Sequence, residues 1–200
     1  MTNIIYKKTY EQPTVDINEI LRYCGCKNAD AEFIDIVNEL TQEVSKGISC
    51  RVCYRIFNIQ AENEYINLGF AKVKSTSLAK NLEDCDRIIL FAATTGIEID
   101  RLIQKYSRIS PSKAVILQAI GAERIESLCD IFCKDMAQQF SLKPRFSPGY
   151  GDFPIELQKE IFAVLDCPRQ IGLTLNDSML MSPTKSVTAI IGTKNTGANI

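Results

Sequence analysis

The residues best suited to chemistry lie in one short run, Arg145-Phe146-Ser147-Pro148-Gly149-Tyr150, followed at once by Gly151-Asp152-Phe153-Pro154. A cation stands beside a Pro-Gly turn, and an aromatic closes it. Pro148 fixes its φ, and Gly149 can take the positive φ that a tight turn demands. Arginine offers a planar fork that grips a carboxylate or phosphate through two parallel hydrogen bonds. The turn is expected to leave backbone N–H groups without a ladder partner, and Tyr150 adds a ring face and a hydroxyl. Such a loop suits a small zwitterionic ligand with one flat ring system. The competing reading is an ordinary surface turn with a solvated arginine, because short motifs match by chance.

Histidine is absent from the sequence. That removes the usual general base near neutral pH and the commonest neutral metal ligand. No Ser-His or Cys-His dyad can form within these residues. The chemistry expected is therefore the positioning of an already reactive group rather than its activation.

Eight cysteines are present. Cys50 and Cys53 have C-x-x-C spacing and Cys24-Gly25-Cys26 sits upstream, which raises the possibility of zinc or an iron–sulfur cluster. Cys50 and Cys53, however, fall in a segment that reads as a strand. Residues three apart on a strand point to opposite faces and do not converge on one metal. Cys129 and Cys133, four apart on a helix, share a face that reads as packing. The expectation is reduced, mostly buried thiols and no bound metal.

These residues need a scaffold, and the chain supplies one. Two hundred residues with 46% apolar and 24% charged content suit a globular body with its own core. A net charge of −1 gives no electrostatic footprint for nucleic acid or an anionic membrane. No apolar run reaches the length of a membrane span, and the first residues lack a signal-peptide pattern, so the expected location is the cytoplasm.

Apolar spacing predicts helices over Ile17 to Cys24 and Ala29 to Val44, the second with a stripe of Phe33, Ile36, Val37, Leu40 and Val44. From Ile48 to Ile59 the pattern alternates and reads as strand. Glu64 to Phe70, set off by Asn63, is its expected hairpin partner. Thr76 to Leu82 reads as a short helix, and Asp86 to Thr94 as the best buried strand. Thr94-Thr95-Gly96 then turns into a helix from Glu98 to Tyr106, a junction that is either an anion site or a plain turn. Ser110-Pro111 opens the longest helix, running to about Gln139, with Gly121 marking a close approach and Glu123 and Glu126 one turn apart on a solvated face. Pro154 to Leu165 reads as an amphipathic helix, Ile171 to Leu175 and Ser186 to Ile191 as strands, and Gly192 to Ile200 as a frayed tail. Without a repeated βαβ pattern, the sheet is expected to be mixed or antiparallel.

The order Arg145-x-x-x-Gly149-Tyr150, then the helix from Pro154, then Gly172-Leu173-Thr174-Leu175-Asn176-Asp177-Ser178-Met179-Leu180-Met181-Ser182-Pro183-x-x-Ser186-Val187, resembles the activation domain of cobalamin-dependent methionine synthase over about fifty residues, Arg145 to Ile191. The resemblance implies an α+β fold: a twisted, mainly antiparallel sheet with flanking helices, formed by residues 48–200, with a helical N-terminal region, residues 1–47, packed on it. It implies a stand-alone version of the domain that binds S-adenosylmethionine and supports reductive methylation of cob(II)alamin in a partner methionine synthase.

In that reading Arg145 pairs with the methionyl carboxylate, the backbone from Ser147 to Gly149 meets adenine or ribose, and Tyr150 lines the pocket. Glu126, or its neighbour Ser127, holds the polar end of the cofactor. The chain itself carries no catalytic residue, no metal and no corrin-ligating histidine. Cobalamin comes through the partner, and an external reductant such as flavodoxin gives the electron. The sequence departs from the family pattern in running only about fourteen residues past Ser186, and in having only Asp16 to match an early acidic residue. Two alternatives remain open: a reactivator of another corrinoid methyltransferase system, and a non-catalytic interaction or sensor module of the same fold.

Overall fold

The architecture grows from one strand that is apolar on both faces. A computed structural model describes residues 4–26, 28–62 and 64–194. In chain order the elements are β1 (Tyr6–Tyr10), α1 (Ile17–Tyr23), α2 (Ala31–Ser45), β2 (Cys50–Asn58), β3 (Gln60–Glu62), β4 (Tyr65–Asn67), β5 (Lys72–Val73), α3 (Thr76–Asn81), β6 (Arg87–Thr94), α4 (Glu98–Ile109), α5 (Pro111–Met136), β7 (Ser141–Leu142), α6 (Gln158–Leu165), α7 (Cys167–Ile171), β8 (Thr174–Leu175), β9 (Met181–Ser182) and β10 (Ser186–Lys194).

Strand β6 is buried from Ile88 to Thr94 and must be covered on both sides. It lies at the centre of a sheet ordered β1-β2-β6-β10-β7, in which every pair among the described residues is antiparallel. The fold is thus α+β, with an antiparallel sheet and helices on its two faces. One face packs on α5 through Ile125, Leu128, Cys129 and Phe132, where the Phe132 ring meets Phe91 at 4.8 Å and Tyr54 at 5.4 Å. The other face is covered by α3, α6 and α7 through Leu78, Ile161, Leu165 and Ile171. Helix α5 is buried nearly all round in its middle because it also packs away from the sheet, on α1, α2 and α4.

Local chemistry explains the helix ends. The Asp30 side chain caps α2 by accepting from the Phe33 N–H, and the expected stripe is buried at Val37, Leu40 and Val44. Pro111 opens α5 at a position that needs no N–H donor. Gly121 is the close approach its sequence position implies: a Cβ there would lie 2.6 Å from Lys185 Cε. The Lys185 stem crosses α5 at that point, and its Nζ donates to Gln118 Oε1 at 2.7 Å, which fixes the start of β10.

Several elements differ from expectation. The N-terminal region holds the two expected helices, and ahead of them β1 extends the sheet by pairing with β2, Tyr10 opposite Cys50. The partner of β2 is not the Glu64 to Phe70 segment. Tyr65–Asn67 pairs instead with β3 and β5 in a separate three-stranded sheet, while β2 pairs with β1 and β6. Asn63 lies outside the described residues.

Ile171 belongs to a helix rather than a strand, since Pro168 opens α7 and Gly172, at φ 70°, ends it. Only Thr174 and Leu175 of that run are extended. The Pro154 to Leu165 segment begins as a 3-10 turn at Ile155–Leu157 before α6. Gly192 to Lys194, expected as tail, continue β10, and residues 195–200 lie outside the described residues.

Candidate functional site

The Arg145 to Tyr150 loop is clamped at both ends. At its start, Phe146 exchanges two backbone hydrogen bonds with Ile190 of β10, each 2.9 Å. At its end, the Phe153 side chain is buried in the core beside the Phe146 ring, with centroids 5.9 Å apart. Between them Ser147 to Tyr150 form a turn closed by the Tyr150 N–H donating to the Ser147 carbonyl at 3.2 Å. Pro148 precedes Gly149 at φ 92°, the arrangement that the Pro-Gly pair predicts. The Gly149 N–H donates to the Phe153 carbonyl at 2.8 Å. The N–H groups of Gly149 and Tyr150, expected to be open to a ligand, are therefore committed within the loop. What the turn presents to a ligand is the Ser147 hydroxyl and the Tyr150 ring.

Asp152 ties the loop to α3. Its carboxylate accepts from the Ser75 hydroxyl at 2.6 Å, the Thr76 N–H at 2.6 Å and the Ser77 N–H at 3.0 Å. Ser75 in turn caps α3 by accepting from the Leu78 N–H. The Ser75 hydroxyl, then the N–H groups of Ser77 and Thr76, hold the Asp152 carboxyl well below the usual carboxylate range. A depressed carboxyl pKa stabilises the fold fully above its unfolded value, roughly 3.9, and the benefit fades as pH falls through the folded value. An Asp152→Asn variant should therefore unfold at a lower temperature than the parent at pH 7, with the gap narrowing as pH drops below about 4. Thermal unfolding followed from pH 7 to pH 2 checks this, and a gap independent of pH would contradict it.

Under the loop lies a cleft of about 470 Å3. Arg145, Ser147, Pro148 and Tyr150 form one wall, Glu126 of α5 and Gln158 of α6 contribute from the helices, and Ser186 to Thr188 of β10 form the floor. Met179 and Met181 complete it with soft apolar surface. Four of the five residues singled out from the sequence, Arg145, Ser147, Tyr150 and Glu126, line one cleft. Gly149 shapes the turn and is not in the lining.

Arg145 is half-buried and reaches back to α5, where its Nη2 donates to Glu126 Oε2 at 2.9 Å and its Nη1 to Asp130 Oδ1 at 2.8 Å. Burial opposes its charge, and the neighbouring Cys129 and Cys133 thiols and the two carboxylates more than offset that, so the guanidinium titrates above its usual range. Burial pushes both thiols up, which leaves them protonated and poor nucleophiles near neutral pH.

Residues not picked out beforehand are Gln158, Thr188, Ser186, Met179 and Met181. Thr188 Oγ1 donates to Gln158 Oε1 at 2.8 Å, and Ser186 Oγ donates to the Pro183 carbonyl at 2.8 Å. Met179, Met181 and Ser186 stand in the run that carries the family resemblance but were given no role there, and a polar Thr188 inside the buried run of β10 was the signal for the fourth. The face carrying Glu123 and Glu126 is not uniformly solvated: Glu126 is partly exposed at the cleft, while Glu123 is buried beside Arg124.

The Thr94-Thr95-Gly96 junction is a plain turn. The Thr95 N–H donates to the Lys185 carbonyl and the Gly96 N–H to Thr94 Oγ1. Cys50 and Cys53 face opposite sides of the sheet, one toward α5 and one toward α6 and α7. Among the described residues no group of three or more His, Cys, Asp or Glu side chains is arranged to hold a metal ion. None of the described helices is long and apolar enough to cross a membrane.

A cleft that joins a guanidinium, an adjacent carboxylate, an exposed tyrosine and two methionine side chains can hold a zwitterion with a flat apolar part. Comparison with known families agrees with the order of residues that frames it. Residues 133–198 match the family described as vitamin B12-dependent methionine synthase, activation domain. The matched stretch is the C-terminal third of the chain and contains the loop, α6, the Met179–Met181 turn and β10. The activation-domain resemblance read from Arg145 onward stands on that match. The fold extends the likeness across the rest: a crystal structure of the MetH reactivation domain bound to AdoHcy superposes with a TM-score of 0.67, at 14% identity, over 98% of this chain and 80% of that one. No curated protein matches the chain. At that identity the structural likeness speaks for the activation-domain fold, β1 and the N-terminal helices included.

Proposed function

We propose that this chain binds S-adenosylmethionine in the cleft under the Arg145 to Tyr150 loop and serves the reductive reactivation of a cobalamin-dependent methionine synthase. The observation that carries the reading is the convergence of Arg145, Glu126, Ser147 and Tyr150 on one cleft within an activation-domain fold. A solved structure of that fold is bound to AdoHcy, the demethylated form of the same molecule. Arg145 takes the methionyl carboxylate, Glu126 takes the ammonium, and the purine lies among Pro148, Tyr150 and the methionines. Helices α1 and α2 brace the body that carries the site. The cleft offers no low-pKa thiolate and the chain has no histidine, so these residues bind and orient the donor and do not activate it. The corrin, on a partner protein, supplies the nucleophilic metal, and a reductant of the flavodoxin type supplies the electron.

Calorimetry should show one S-adenosylmethionine bound per chain. Mixed with the corrinoid partner and a low-potential reductant, the chain should support a donor-dependent change in corrinoid absorbance that is lost when the chain is left out. No binding at millimolar donor, with or without the partner, would overturn the reading. Binding with activity only toward a different corrinoid protein would reassign the partner. Binding with no activity toward any would make the chain a sensor.

A further inference from the structure

Arg145 does not offer a free fork to the cleft. Its two terminal nitrogens are each engaged by a carboxylate of α5, Nη2 by Glu126 and Nη1 by Asp130. The two carboxylates are not equivalent. Glu126 lines the cleft, whereas Asp130, one turn further along α5, lies outside it. Cys133 Sγ, also on α5, is 3.8 Å from the same Nη1, so that nitrogen is held on the helix side of the guanidinium. The guanidinium is the more enclosed partner, with 24% of the Arg145 side chain exposed against 45% for Glu126 and 60% for Asp130. A carboxylate approaching from the cleft meets an arginine whose two terminal nitrogens each already hold a carboxylate.

We propose that Asp130 is a specificity-determining residue of this site: it competes with a ligand carboxylate for Arg145 and so sets how strongly the cleft prefers ligands that carry one. The inference rests on S-adenosylmethionine binding at this cleft. Glu126, on the cleft wall, remains in place for the ammonium. Asp130 must yield Nη1, and its exposure makes that exchange cheap, since an exposed ion pair changes an equilibrium by about fivefold at most. The carboxylate of Asp130 also repels a second anion brought to the same guanidinium, in the way like charges at one site disfavour each other. An amine without a carboxylate meets the opposite balance: Asp130 attracts it weakly and competes for nothing it needs.

The test is calorimetry with two probes, S-adenosylmethionine and decarboxylated S-adenosylmethionine, on the parent chain and on Asp130→Asn and Asp130→Ser. Both substitutions sit on an exposed helix position, and an unchanged thermal midpoint verifies the fold. Each variant should bind S-adenosylmethionine about two- to fivefold more tightly, the scale of one exposed ion pair. Neither should bind the decarboxylated probe more tightly. The preference for the carboxylate-bearing probe therefore rises. An S-adenosylmethionine affinity that is unchanged or weaker in both variants would overturn the inference and leave the proposed function standing. So would an equal gain for the two probes, which would mark a general effect on the cleft. If the parent chain binds neither probe at millimolar concentration, the proposed function falls, and this inference falls with it.

Discussion

Replacing Arg145 with alanine should weaken S-adenosylmethionine binding by about 1.5–3 kcal/mol, the range for hydrogen bonds to a charged group. The guanidinium is the cation that closes the cleft beside Glu126 and the Ser147 to Tyr150 turn. Its removal takes away the partner of the ligand carboxylate and also leaves Glu126 and Asp130 uncompensated next to that anion. Both effects act against binding. They act less on stability, because Glu126 and Asp130 are partly exposed and remain solvated when the arginine is gone. The affinity should therefore fall while the unfolding midpoint stays near that of the parent.

Arg145→Lys should recover only part of the loss. An ammonium restores the charge but not the planar fork that makes two parallel hydrogen bonds. Calorimetry on the two variants decides the point. If the lysine variant binds as tightly as the parent, Arg145 acts as a point charge and the clamp is wrong. If the alanine variant does, Arg145 has no part in the site.

The parts of this site that a reader of the sequence can find are those built from local chemistry. Pro148 and Gly149 announce their turn because each restricts or frees its own φ. Strand β6 and helices α2 and α5 are legible because their apolar periods are long and unbroken. What stays hidden is made by distant pairing. Strand β1 carries two lysines in five residues and little apolar signal, and it is a strand only because β2, some forty residues later, offers it an edge. Distant strands β1 and β6 take both edges of β2, and Tyr65–Asn67 forms its hairpin with Gln60–Glu62 instead. At α7 the five residues Cys167–Ile171 are too few to carry a period that separates helix from strand, and Pro168 and Gly172 settle it. Gln158 and Thr188 meet across thirty positions of sequence, so neither names the other in advance. Asp152 was visible as a residue beside the loop, but its role depends on the N-terminus of α3 arriving from elsewhere in the chain.

The largest effect on stability is expected at Arg124, two residues before the cleft-lining Glu126 and so on the other side of α5. Glu123 reads in sequence as part of a solvated face, yet its side chain and that of the adjacent Arg124 are 1% and 2% exposed. Arg124 pairs with the Glu123 carboxylate, and its Nη1 and Nη2 donate to the Pro13 and Thr14 carbonyls at 2.6 Å and 2.9 Å. Glu123 also accepts from the Asp16 N–H at 3.1 Å and from Ser127 Oγ at 2.8 Å. The network thus ties the segment that leads into α1 to the middle of α5. Asp16 serves it through its backbone, while its side chain caps α1.

Arg124→Met should cost about 3–5 kcal/mol, because removing one partner of a buried pair leaves the other charge uncompensated. Replacing both residues, as Glu123→Leu with Arg124→Met, should cost less than that single change, since no buried charge is left alone. It should not return to parent stability: the Pro13 and Thr14 carbonyls and the Asp16 N–H still lose their partners, at about 1–3 kcal/mol for each that stays dry. Chemical denaturation of the parent, the single variants and the double variant gives the coupling directly. A double variant less stable than Arg124→Met would show that the hydrogen bonds Glu123 accepts from the Asp16 N–H and Ser127 Oγ outweigh the cost of its uncompensated charge. An Arg124→Met variant within about 1 kcal/mol of the parent would show that the segment leading into α1 is not held by this pair at all.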